Sequence, residues 1–150
     1  MPLKVVQFLA VVLTALALVP GGAHAFALLN KISLGAEQYF IVQNIYRGWA
    51  LFGIVLVGAL LGNLALALML LRRGGAPFNL AMLAFCCVAL TLVIFFVWTY
   101  PANSATSNWT TIPGNWEQLR EQWEYSHAVN ASITFVALCS VTLSVLMTRE

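Results

Sequence analysis

Residues 48–71 and 77–99 of this chain contain no charged side chain, and residues 5–29 and 127–147 contain no Lys, Arg, Asp or Glu. A helix needs roughly 20 mostly apolar residues to cross the hydrocarbon core of a bilayer, and each of these stretches is long enough. They lack the strict alternation of a barrel strand, and an open sheet would leave unpaired backbone in lipid. The reading is all-α: an integral membrane four-helix bundle, one domain over 1–150, with polar outer segments 30–47 and 100–126. Composition agrees. Of 150 residues, 61% are hydrophobic and 8% charged, against about 25% charged in an ordinary soluble domain. The first expected partner is therefore the lipid bilayer. A net charge of +2 with a single Arg pair offers no basic face, so nucleic acid is not an expected partner.

Four spans put both termini and the turn after the second span on one side. That side carries Lys4, Arg72, Arg73 and Arg149; the other carries Lys31, Arg47 and Arg120, mixed with Glu37, Glu117, Glu121 and Glu124. Arg72-Arg73 lies in a short turn, where an excess of Lys and Arg marks the cytoplasmic side. The expected setting is a bacterial inner membrane with both termini cytoplasmic. A rival reading concerns the first span. Lys4, the apolar run 5–19, Pro20-Gly21-Gly22 and Ala23-His24-Ala25 also have the order of a cleavable signal peptide. The apolar character continuing through Leu29 favours retention as a span interrupted at Pro20.

Polar chemistry is sparse in the spans. Cys86, Cys87 and Cys139 all lie within them and read as small packing residues. Gly58 and Gly62 form a small-xxx-small spacing suited to close helix approach, inside the bundle or between copies. Asn63 is expected to hydrogen-bond a neighbouring helix. The informative stretch is 98–134. Pro101 is expected to end the third span, Asn115 or Pro113 to start a helix, and the pattern from Trp116 onward to run into the fourth span. Turning about 100° per residue from Trp116, Arg120, Trp123, His127, Asn130 and Thr134 fall at about +40°, −20°, +20°, −40° and 0°. One polar and aromatic stripe therefore descends into an apolar span, and such residues usually face a bundle interior. Glu117, Glu121 and Glu124 flank the stripe. Arg120 is spaced to pair with Glu117 or Glu124, and Glu124 stands one turn before His127. Gln43, Tyr46 and Arg47, if helical, share a face at the same outer end, as does His24 on the first span.

The strings Gln43-Asn44-Ile45-Tyr46-Arg47-Gly48-Trp49, Asn108-Trp109-Thr110 and Pro113-Gly114-Asn115-Trp116-Glu117 precede the run from Leu119 to Ala128, which contains Trp123 and His127. Together with Pro101-Ala102-Asn103 and the segment around His24, they resemble the anthrone-oxygenase-like family of small four-span membrane proteins, over nearly the whole chain. Ala27 stands where that family often has a carboxylate three residues after its first-span histidine. The resemblance implies oxidation of a lipophilic aromatic or quinoid small molecule by molecular oxygen, with no recognised metal or flavin. It points to Asn103, Trp109, Trp116, Arg120, Trp123 and His127.

The residues supply a consistent chemistry for that expectation. His127 is a suitable base for an acidic ring carbon, because imidazole titrates near neutrality. Glu124 would orient it, and Arg120 would stabilise a developing phenolate or enolate. Trp109, Trp116 and Trp123 would flank a flat ring, with Asn103, Asn130, Tyr46, Arg47 and His24 completing the binding set. No metal ligand set and no cofactor are expected. Two other classes stay open: a non-catalytic ligand-binding or companion subunit, and an electron-transfer subunit whose haem is held by His24 and His127.

Overall fold

The computed structural model describes residues 2–148, so Arg149, part of the charge count above, lies outside the described residues. Every regular element among them is helical. Helix α1 (Pro2–Lys31) is followed by a short α2 (Ala36–Gln43), two tight turns (Asn44–Tyr46 and Trp49–Leu51), and α3 (Phe52–Leu70). Then come α4 (Gly75–Ile94), a wide π-type turn (Phe95–Thr99), α5 (Tyr100–Ala105) and α6 (Trp116–Met147). Four helical stretches are long and apolar enough to cross a membrane: Pro2–Lys31, Trp49–Leu70, Gly75–Ala105 and Trp116–Met147. The protein is an integral membrane four-helix bundle.

Helix α1 packs on α3 and α6, and α4 packs on α3 and α6, which closes a ring. The membrane-buried core is built of small residues: Ala10, Ala17, Ala59, Ala67, Ala81, Ala84 and Ala137, with Leu66, Leu70, Val88 and Val141. Lipid is as apolar as leucine, so helices gain by close contact, which small side chains permit. A Cβ on Gly62 would meet the backbone of Ala10 at 3.4 Å, and one on Gly58 would meet Leu13 at 3.4 Å. The small-xxx-small face is thus the α1–α3 contact within one chain. Asn63 makes the expected interhelical bond, its Nδ2 donating to Thr14 Oγ1 at 2.8 Å.

Two expectations are corrected along the spans. Pro20-Gly21-Gly22 does not interrupt the first span; α1 runs through it as one helix of 30 residues. Pro101 does not end the third. Its ring cannot donate to the carbonyl one turn back and would collide with it. The backbone widens into the π-type turn just before it, then resumes as α5 to Ala105. The carbonyl of Trp98 within that turn accepts from Gln122 Nε2 of α6 at 2.7 Å. Thr99 donates to Ser126 Oγ at 2.8 Å, since the Ser126 hydroxyl proton is committed to the Trp123 carbonyl. The widened turn is therefore pinned to α6 and carries Asn103 over it.

At about 1.5 Å per residue, α1 and α6 are some 45 Å long, longer than the roughly 30 Å hydrocarbon core. Their excess at the end remote from the chain termini joins α2, α5 and the 106–115 turn in a second core of Tyr39, Phe40, Ala102, Trp109, Leu119 and Trp123. This aromatic layer lies on top of the alanine-rich bundle.

Candidate functional site

His24 and His127, from α1 and α6, meet with ring centroids 4.1 Å apart and planes tilted by 33°. The pair lies in an aromatic cage. His24 is 4.1 Å from the Tyr46 ring, 4.6 Å from Trp123 and 5.7 Å from Trp49. His127 stands 4.3 Å from Trp123, edge to face. His24 is buried, whereas His127, Tyr46 and Trp49 are half-buried and form the rim. Nδ1 of His24 is buried without a hydrogen-bond partner, and so is Oδ1 of Asn130, one turn deeper on α6.

Beside the imidazoles lies a buried ion pair. Lys31 Nζ is 2.8 Å from Glu124 Oε1, with side-chain exposures of 4% and 0%. The same oxygen accepts from the Tyr39 hydroxyl at 2.8 Å, and Gln43 Nε2 donates to that hydroxyl. Burial, then the neighbouring Glu124 carboxylate, hold the Tyr39 phenol well above its ordinary pKa, so it stays a donor. Glu124 is thus the acceptor for Lys31 and Tyr39, and the expected pairings with Arg120 and His127 are replaced. The three flanking glutamates also part company. Glu117 and Glu121 are exposed, while Glu124 faces α1 and α2.

Arg120 is buried but engaged elsewhere. Its Nη1 donates to the Leu34 carbonyl at 2.7 Å, and its guanidinium lies 4.7 Å over Trp116. It closes the junction between α1, α2 and α6, with its Nε buried and unpartnered. Asn103 ties the aromatic layer together. Its Oδ1 accepts from Trp109 Nε1 at 3.0 Å and from Trp123 Nε1 at 2.8 Å. Trp109 reaches that position through three consecutive left-handed residues, Ser107, Asn108 and Trp109, with φ of 49°, 55° and 64°. Each such non-glycine residue costs about 1–2 kcal/mol. Thr106 holds the turn, its hydroxyl donating to the Ala102 carbonyl and accepting the Trp109 N–H. The tryptophans consequently pack against protein rings: Trp116 on Tyr39 and Phe40, Trp109 on Trp123.

Arg47 falls outside the cluster. The chain leaves the helix after Gln43, turns, and reverses through Gly48 at φ 87°, so the expected common face with Tyr46 does not form. Arg47 is exposed and donates to Asn44 Oδ1 at 3.2 Å. The structure therefore unites His24, Tyr46, Trp123, His127 and Glu124, joins Trp109, Trp116, Asn103 and Arg120 as their frame, and excludes Arg47. Lys31, Tyr39 and Trp49 are members that the α6 stripe did not reveal. Lys31 had a signal: it follows His24 by two helical turns, on one face of α1.

No group of three or more His, Cys, Asp or Glu side chains that could hold a metal is found among the described residues. A haem iron held by two imidazoles takes each nitrogen end-on at about 2 Å, with the macrocycle plane between the rings. Imidazoles stacked at 4.1 Å leave no gap for that plane, so this arrangement does not fit axial ligation. Comparison with family models, with curated proteins and with solved structures finds no match to this chain.

Proposed function

We propose that the protein is a membrane oxidoreductase that removes a proton from a flat, lipophilic aromatic compound and passes the resulting carbanion to molecular oxygen. The observation that carries this reading is the stacked His24–His127 pair in an aromatic cage, His24 buried with an unpartnered Nδ1 and His127 half-buried at the rim. An imidazole there is a base within reach of a membrane-dissolved ring system. It takes one proton from an activated ring CH2. The carbon's electron pair forms a C–O bond with O2, the peroxide regains the proton, and loss of water leaves a ketone. The step balances as CH2 + O2 → C=O + H2O, so the substrate supplies the electrons.

A second reading has one observation in its favour. The cage rings already contact one another, as a non-catalytic ligand-holding or companion subunit would allow. Oxygen uptake by the full-length protein in lipid nanodiscs, with anthrone as substrate, decides between them. The enzyme reading expects uptake above empty discs and a loss of at least about 100-fold in His127→Ala, the usual scale of a general base. Uptake equal in wild type and variant leaves the companion role. In the same proposal the chain sits in a bacterial inner membrane with both termini cytoplasmic, supported by exposed Arg72 and Arg73 in the short turn between α3 and α4.

A further inference from the structure

Lys31 and His24 share the same two rings. The ammonium lies 4.7 Å from the Tyr46 centroid and 5.0 Å from the Trp123 centroid; the His24 ring lies 4.1 Å and 4.6 Å from them. Side chains on a helix lean toward its N-terminus, which brings Lys31 back over the turns that carry His24. An ammonium has three donors. Beyond its ion pair with Glu124, Lys31 Nζ is buried without a hydrogen-bond partner, and Glu124 Oε2 is also unpartnered. A desolvated cation is costly to hold, and one whose spare donors face an aromatic cage is preorganised for an incoming anionic oxygen. Arg120 also has a buried, unpartnered Nε, but its guanidinium bonds the Leu34 carbonyl and lies against Trp116 and Tyr39, whereas Lys31 lies against the two rings that flank His24.

We propose that Lys31 binds the anionic oxygen of an aromatic ligand, a phenolate or enolate, next to the His24–His127 pair. Glu124 and Tyr39 act as positioning residues that hold the ammonium in place. This rests on the functional reading above and names the group that would receive the charge created when the imidazole takes a proton.

The probe is 1,8-dihydroxyanthraquinone, whose visible band moves to the red when its phenol ionises. It is titrated into full-length protein in nanodiscs, at a pH where the free phenol is neutral. Wild-type protein is expected to bind it with the red-shifted band. Lys31→Met combined with Glu124→Gln removes both charges and keeps an acceptor for Tyr39, avoiding a lone buried carboxylate. That variant is expected to bind about tenfold more weakly, without the red shift. A red shift retained in the double variant overturns the assignment. Binding to wild type without a red shift overturns it too, while leaving the functional reading standing. No binding to wild type overturns both. Unsubstituted anthraquinone tests the point without any variant: it should bind wild type about tenfold more weakly, and equal affinity overturns the assignment.

Discussion

Asn103 Oδ1 accepts two indole N–H groups, one from the turn after α5 and one from α6. Replacing it by leucine keeps the branched shape and strands both donors in a partly dry layer. Each such loss costs about 1–3 kcal/mol, so Asn103→Leu should destabilise the protein by about 2–6 kcal/mol. A lowered thermal midpoint by circular dichroism in detergent would register it, and Asn103→Asp, which keeps an acceptor, should fall less. Tyr39 gives a pH dependence of known sign. Its phenol is raised in the folded state by burial and by Glu124, so above about pH 10 the unfolded chain ionises first and stability falls with rising pH. Alkaline absorbance titration should leave the Tyr39 phenol silent until unfolding. In Tyr39→Phe that silent phenol should vanish, and the alkaline loss of stability should shrink.

Between elements, the closest approaches are made where a side chain is missing. The Ala10 backbone stands 3.4 Å from where a Gly62 Cβ would lie. Gly62→Ile should force α1 and α3 apart at a cost of about 1–3 kcal/mol. Analytical ultracentrifugation should show an unchanged oligomeric state, because that face is used within the chain. The spans were legible in sequence because lipid imposes length and charge so strictly: all four apolar stretches and the helical run from Trp116 could be read from pattern. The inward stripe was legible for the same reason, since Arg120, Trp123 and Thr134 are buried. What sequence left hidden depends on partners remote in the chain. Glu124 looks like a flanking glutamate until Lys31 and Tyr39 arrive from α1 and α2. Pro101 looks like a stop until the widened turn at 95–99 absorbs it. Arg47 looks aligned with Tyr46 until the backbone reverses at Gly48.

Across the whole molecule, the two ends differ in kind: an alanine-lined bundle below, an aromatic and ionic layer above. The proposed orientation predicts that a membrane-impermeant maleimide labels Ser107→Cys in intact cells but reaches Arg72→Cys only after the membrane is opened. The opposite pattern would invert the topology and put the histidine pair on the cytoplasmic side. The crowding of rings at the end remote from the chain termini has a photophysical consequence. Of five tryptophans, Trp49, Trp109, Trp116 and Trp123 belong to or border this layer, while Trp98 stands half exposed on the π-type turn. Intrinsic emission from this protein is therefore weighted heavily toward one small volume. Imidazole and ammonium neighbours quench indole, so Trp123 should be the dimmest emitter in the resting protein and should brighten when anything parts the two histidines.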